Sequence, residues 1–496
     1  MMVSHTRRHP VALFAGFVVG VLLVGVLAAM IDPRQAPVSP PASVLADGDV
    51  AIGEGGAAAP GDADRPGALT PRSVPEAGAP PERAGGEAAA TTPATPDAPV
   101  GAAGGGEVHL GILLLELASA RQIGFQSPGV SAEGEREAYD AIIGLVNDEG
   151  GIGGRRIVPF YRKFNPLDPD SMQAACVALA QDGKVFAAIA GPGFFNQNTL
   201  CLTERFGIPT ISFQGESEEW QHRTRGLLVT KFMTSHRMLR TLVHVADRQR
   251  RFSDRTIGIV TSQAPADLSA VKGALEPALA DLGYTVAHTS VLAERTGDGA
   301  SQIPVEIVEM RRKGVDLVVF ATSALYFGMW VNEADAQQFR PLYLGSDVGA
   351  VSDDFSVQNA PATLRAIAYT ADRGGEHRLN RPEPPADASC HQRYRQRTGK
   401  TLDRSEGAAY NTAVRACGFI DLFVAAARKA LATDIGLTRA GYITTLRSLG
   451  PWDLPYTGPG SLQPGKLGIA DSVRSKEYRG NCRCWVPVDE FTPAPR

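Results

Sequence analysis

Six cysteines, nine histidines and several glycine runs are the residues of this chain whose types and spacing could do chemistry. Gly151-Ile152-Gly153-Gly154 has the glycine density of a phosphate-binding loop. Such a loop follows a strand and opens a helix, because the helix N-terminus supplies the N–H groups. Here the glycines follow helical spacing and precede a strand, so they read as a turn. Gly399-Lys400-Thr401 looks like the end of a phosphate loop, but Tyr394 stands where the earlier glycine is required and the preceding segment is helical. The chain is therefore not expected to hydrolyse ATP, and any energy source has to lie in a partner. His236 and His244 are too far apart on one helix to share a metal, and neither His-Glu-x-x-His nor Gly-x-Ser-x-Gly occurs. Carboxylates such as Glu116, Glu133, Glu216 and Asp347 read as solvated or structural. No catalytic residue, metal or cofactor is expected.

The cysteines read as disulfides of an exported body. Cys176 and Cys201 lie on consecutive helices that flank a strand at Val185, which suits a bridge across that unit. The remaining four, Cys390, Cys417, Cys482 and Cys484, allow three connectivities. Cys390 and Cys417 sit on neighbouring helices and are the first choice. Cys482-Arg483-Cys484 lacks the spacing of a redox Cys-x-x-Cys and the further ligands of a zinc site.

The elements that hold these residues are clearest over residues 131–212. Ser131 is a helix cap, and Ala138, Ile142 and Leu145 recur at helical spacing until Gly150, Gly151, Gly153 and Gly154 stop the helix. A strand at 156–161, a helix at 172–179, a buried strand at 185–190, a helix after Gly191-Pro192-Gly193 and a strand at 208–212 follow. Strands and helices alternating in this way predict a doubly wound parallel sheet. Near Leu228 the pattern restarts: a helix at 233–245, strands at 256–260 and 286–292, a helix at 305–313, a strand at 316–320, a helix at 327–339 and a strand at 341–344. Helical spacing returns at 390–397, from about 405 to 431, and at 438–449.

Three motifs go further than fold class. Asn147-Asp148-Glu149-Gly150-Gly151-Ile152-Gly153-Gly154-Arg155-Arg156-Ile157, then Ala187-Ala188-Ile189-Ala190-Gly191-Pro192, then Gly207-Ile208-Pro209-Thr210-Ile211-Ser212 resemble the first lobe of type I periplasmic binding proteins. The nearest branch is the leucine/isoleucine/valine-binding family of solute receptors for ABC importers, and the resemblance covers roughly residues 107–490. It implies two Rossmann-like lobes joined by a hinge, with residues 107–228 and 374–450 in lobe one, 229–373 in lobe two, and 451–496 near lobe two and the hinge. It also implies a small solute, an amino acid, amide or related compound, held between the lobes. The importer's permease and ATPase would be other chains.

Carried over by position, the lobe-one contacts are Phe194, Phe195, Asn196 and Asn198 in one loop and Gln214, Gly215, Glu216 and Ser217 in another. Ser323 and Tyr326 supply lobe-two contacts, and Asp347 occupies the place of the ammonium-binding acid. The pattern departs from an amino-acid receptor at Phe194 and Phe195, where small hydroxyl residues are usual, and at Glu216, a negative charge near the carboxylate site. Gln263-Ala264-Pro265-Ala266 also lacks the tyrosine and glycine typical there. Core packing is the competing reading of the two phenylalanines.

The ends of the chain set its location. Residues 11–31 are an uncharged apolar run, about 31 Å long as a helix at ~1.5 Å per residue, enough to span a bilayer. Arg7 and Arg8 precede it and should stay cytoplasmic with residues 1–10, which puts the body outside the cytoplasm. The run reads as an uncleaved single-pass anchor, with a cleaved signal peptide as the alternative because Ala28 and Ala29 follow its core. The first cysteine is Cys176, so none follows the run to carry a lipid. Residues 32–106 are rich in Ala, Gly and Pro and contain no Phe, Trp or Tyr; such a segment is expected to be a disordered tether. With 21% charged residues and a net charge of -4, nothing points to nucleic acid. A membrane-tethered sensor or protein-interaction module with the same fold is the alternative to a solute receptor.

Overall fold

The computed structural model describes residues 106–117, 131–194 and 197–495, all within the unit Ala88–Arg496. The expected anchor at 11–31 and the tether at 32–106, apart from Gly106, lie outside the described residues. Among the described residues no helix is long and apolar enough to cross a membrane.

Lobe one begins with β1 (Glu107–Leu115), α1 (Ala132–Asp148), β2 (Arg156–Phe164), α2 (Pro169–Gln181) and β3 (Ala187–Ala190). It continues with α3 (Gln197–Leu200), β4 (Thr210–Ser212), α4 (Glu218–Arg223) and β5 (Leu228–Thr230). The strands form one parallel sheet in the order β2-β1-β3-β4-β5. Ser131 caps α1 by accepting a hydrogen bond from Gly134 N at 3.0 Å. The glycines after α1 are a turn, as their position predicts. Gly150 and Gly151 have φ of 94° and 63°, and a Cβ on Gly151 would stand 2.0 Å from Arg155 O. Asn147 closes this turn, its side chain donating to Ile157 O at 2.9 Å and accepting from Ile157 N at 2.8 Å.

Lobe two opens with α5 (Ser235–Arg248), β6 (Ile257–Ser262), α6 (Pro265–Ala270), α7 (Glu276–Asp281), β7 (Val286–Leu292) and α8 (Thr296–Arg312). Then come β8 (Leu317–Phe320), α9 (Ala324–Ala336), β9 (Leu342–Ser346) and β10 (Arg365–Thr370). The chain returns to lobe one as α10 (Pro385–Thr398), α11 (Ala408–Leu431) and α12 (Arg439–Leu446), forms the small ribbon β11 (Gly450–Trp452) and β12 (Gly460–Leu462), and ends in β13 (Ser472–Arg479), β14 (Cys484–Pro487) and β15 (Thr492–Pro493). The second sheet runs β14-β13-β10-β9-β8-β6-β7, parallel from β10 to β7, with β13 and β14 added antiparallel at the edge. This α/β arrangement of two doubly wound lobes agrees with the fold class read from the sequence.

Some boundaries differ for physical reasons. The helix expected at 305–313 starts instead at Thr296 and runs through Pro304. Pro304 is exposed, and its missing N–H is offset by the buried stripe Ile303, Ile307 and Met310. The helix expected after Gly193 is a single turn, α3, followed by a π-helical turn at Cys201–Arg205. The Cys176–Cys201 bridge ties that turn to α2.

Cys390–Cys417 joins α10 to α11, and Cys482–Cys484 closes the hairpin between β13 and β14. The first two bridges close sequence separations of 25 and 27 residues, the third a separation of 2. Loop-closure entropy assigns about 3 kcal/mol to each long loop and little to the short one. Denaturant unfolding should therefore show Cys176→Ser/Cys201→Ser or Cys390→Ser/Cys417→Ser losing about that much stability. The Cys482→Ser/Cys484→Ser protein should unfold close to the parent; an equal loss there would contradict the loop-entropy account.

Candidate functional site

In an open parallel sheet the strand carboxyl ends carry the ligand loops. The carboxyl ends of both sheets lead into the segments that cross between the lobes: β5 into α5, β10 into α10, and α12 back to β13. These crossings are fastened together. Ile469 N and Ala470 N donate to Thr230 O and Lys231 O at 2.8 and 3.2 Å, and Gly458 N donates to Ala371 O at 2.7 Å.

A buried charge network lies inside the crossings. Lys231, just after β5, has its Nζ 2.7 Å from Asp372 Oδ2, just after β10, and is fully buried. The rings of Phe213 and Phe232 stand 4.6 Å from the same ammonium. Lys476 Nζ lies 3.9 Å from Asp372 Oδ1, and Arg474 pairs with Glu376 at 2.8 Å. Burial alone would raise the Asp372 carboxyl, but the ammonium groups of Lys231 and Lys476 outweigh it and hold the carboxyl below its ordinary value.

The lobe-one loops expected to meet a solute are brought together. Gln214 Oε1 accepts from Gly193 N at 2.8 Å, joining the loop after β3 to the loop after β4. Glu216 is buried, 3.3 Å from Thr199 Oγ1, and its carbonyl accepts from Ser235 N at the start of α5. Gly215 lies so close to the crossing that a Cβ would stand 1.9 Å from Met233 O. Ser217 is fully buried and caps α4, its Oγ accepting from Trp220 N. Asn198 is buried and donates to Met172 Sδ at 3.3 Å. Phe194 is wholly buried, edge-on to Phe164 in the core beneath the loop, so packing is its role rather than contact with a solute. Phe195 and Asn196 lie outside the described residues, as does most of the loop after β1.

Lobe two corrects two expectations. Tyr326 is buried, with its hydroxyl 2.6 Å from Ala293 O and 3.1 Å from Arg295 O; burial pushes the phenol up to about 12. It pins the β7–α8 connection to α9, where Ser323 supplies the cap. Asp347 does not stand ready for an ammonium. Its Oδ1 accepts from Ser352 Oγ and Thr370 Oγ1, both at 2.5 Å, and its Oδ2 from Ala371 N at 2.7 Å. Both oxygens are occupied and the residue is buried, so Asp347 bolts the end of β9 to the end of β10.

The sequence pattern passed over Asp267. It sits in the first turn of α6, and its Oδ2 accepts from Ser262 Oγ at 2.6 Å and Thr322 Oγ1 at 2.8 Å. Those hydroxyls mark the carboxyl ends of β6 and β8. Among the described residues Oδ1 has no hydrogen-bond partner, and burial, reinforced by Glu294, raises the carboxyl to about 6 against the pull of the two hydroxyls. Helix α6 abuts α4 of lobe one, and His236 at the start of α5 bridges them, accepting from Glu218 N at 3.2 Å and meeting Ser269 Oγ at 3.3 Å. Asp267 is thus a partly buried carboxylate at the lobe-two strand ends, on the helix that faces lobe one. The available signal was its place one residue beyond Gln263-Ala264-Pro265-Ala266, the loop already singled out.

Comparison with known proteins agrees with this architecture. A family model described as periplasmic binding protein matches residues 125–471. No curated protein sequence matches the chain. Among solved structures, the fatty acid ABC transporter substrate-binding protein from Thermomonospora curvata is similar at 17% identity and a TM-score of 0.56, covering 78% of this chain and 92% of that one. A branched-chain amino acid ABC transporter protein from Thermus thermophilus with bound valine is similar at 13% identity and a TM-score of 0.58, over 78% and 97% of the two chains. A solute-binding protein of an ABC transporter from Rhodopseudomonas palustris BisB5, in complex with 3,4-dihydroxy benzoic acid, gives 12% identity, a TM-score of 0.56, and coverage of 79% and 98%. The match spans well over half of the sequence and its lobes carry the expected topology: the chain belongs to the periplasmic binding protein family.

Proposed function

We propose that this protein is an extracytoplasmic receptor that holds a small amino-acid-like or related polar solute between its lobes and delivers it to the permease of an ABC importer. The observation that carries the reading is the pair of parallel sheets whose carboxyl-end loops converge on a hinge crossed three times by the chain. The solved relatives hold or are named for ligands as different as valine, 3,4-dihydroxy benzoic acid and fatty acid. The solute class here therefore rests on this chain's own residues. In lobe one Gln214 and Gly215, the half-buried members of the loop 214–217, offer an amide and backbone groups. In lobe two Ser323 and Asp267 offer a hydroxyl and a carboxylate. A ligand with a positively charged or N–H-bearing end toward Asp267 fits that pairing, because Asp267 has an oxygen to give and Asp347 does not.

Closure follows from differential contacts. A solute that touches both walls binds the closed arrangement better than the open one and shifts the population toward it. The permease would then read the closed form, and the anchor at 11–31 would keep the receptor beside it.

A thermal-shift screen of the protein against amino acids, amides, polyamines and small aromatic acids tests the reading. A ligand at about 100 times its dissociation constant adds roughly 2.7 kcal/mol of stability, a clear rise in Tm; a folded protein that responds to none of these classes would contradict a solute receptor of this kind. The two aspartates separate by calorimetric titration with a ligand so found. Asp267→Asn should weaken a cationic ligand by about ten-fold or more, the scale of one charge-assisted hydrogen bond. Asp347→Asn should cost stability and leave affinity nearly unchanged. Because the Asp267 carboxyl titrates near 6 in the free protein and a cation needs its charged form, affinity should fall as pH drops through 6 in the parent and stay flat in Asp267→Asn.

A further inference from the structure

At the end of lobe two away from the interlobe loops, the α5–β6 turn and the starts of β9 and β10 line an open concavity of about 400 Å³. That volume lies within the range of small-molecule sites, about 300–1,000 Å³. It is lined by the apolar or neutral Leu342, Ala366, Ile367 and Gln249 and by Arg250, Arg251, Arg255 and Arg365. Arg255 is neutralised by Asp316 at 2.8 Å, and the one lining carboxylate, Glu477, is paired with Arg479 at 2.9 Å. Among the described residues Arg250, Arg251 and Arg365 have no carboxylate partner within ion-pair distance. Arg250 is held at φ 56°, immediately after the α5 cap, and Arg251 Nε points to Gln249 Oε1 at 3.5 Å. That oxygen is also the acceptor of Tyr369 Oη at 2.9 Å.

Arg250 and Arg365 are exposed and Arg251 half-buried, so the three guanidinium groups give this concavity a positive rim in a chain whose net charge is -4. Their planar N–H forks match the oxygens of a phosphate, which carries enough charge to offset more than one of them. We infer that the concavity between the α5–β6 turn and the starts of β9 and β10 is a second binding site, separate from the interlobe site, that takes a phosphate group through Arg250, Arg251 and Arg365. The group could belong to a free phosphate or to the headgroup of an anionic lipid, since both present the same oxygens to the arginines.

Calorimetric titration of the full chain with inorganic phosphate, and co-sedimentation with vesicles of phosphatidylglycerol or of phosphatidylcholine, test the site and its source together. Arg251→Gln and Arg365→Gln serve as variants, each checked for an unchanged Tm. Phosphate binding that weakens about ten-fold or more in either variant and falls with added salt supports a free phosphate ligand. Retention on phosphatidylglycerol above the level that the apolar run at 11–31 gives on phosphatidylcholine, falling to that level in the same variants without measurable phosphate binding, supports a headgroup. Absence of both responses in the parent, or responses that the variants leave unchanged, overturns the inference. Because neither arm uses the interlobe solute, these outcomes are independent of whether the protein is an import receptor.

Discussion

Burying the Lys231 ammonium between two lobes is the constraint around which this structure is organised. An isolated charge in that position would cost several kcal/mol, and the chain meets the cost from both sides of the hinge. Asp372 comes from the end of β10 in lobe two, and the faces of Phe213 and Phe232 come from the lobe-one side. Removing one partner would leave the other charge stranded, so the network ties the crossings to one another. Arg474 with Glu376, and Lys476 beside Asp372, extend the same logic along β13.

Tying the crossings together sets where the strand ends stand. The loops after β3 and β4 are tied to each other through Gln214 and to the crossing through Glu216 and Ser235. On the other side Asp347 is spent holding β9 to β10, which leaves Asp267 as the carboxylate with an oxygen to offer. The division of labour between these two aspartates follows from hydrogen bonding. One is enclosed by donors on both oxygens, the other on only one. A buried pair such as Arg415 with Glu135, 3.0 Å apart, does the corresponding structural work where α11 packs on α1.

Much of the fold was legible because its signals are local. Helical spacing, the Ser131 cap and the glycine turn at 150–154 each depend on a few neighbouring residues, and the repeated strand–helix alternation then gives two doubly wound lobes. The Cys176–Cys201 and Cys390–Cys417 pairings followed from which helices are neighbours. The site was less legible because burial is not local. Phe194 occupies the expected loop and Tyr326 the first turn of α9, yet their side chains turn into the cores of their lobes. Asp347 has the right position and the wrong surroundings: Ser352, Thr370 and Ala371 are scattered in sequence and meet only in the fold. Lys231 and Asp372, which lie far apart in the chain, gave no sequence signal of their pairing.

Solution X-ray scattering, with and without a ligand found for the interlobe site, is the most direct measurement of the central claim. Closure about the hinge predicts a smaller radius of gyration in the liganded protein, with the same change absent on adding a non-binding analogue. A radius of gyration that is unchanged at saturating ligand would contradict a receptor that works by closing its lobes on a solute.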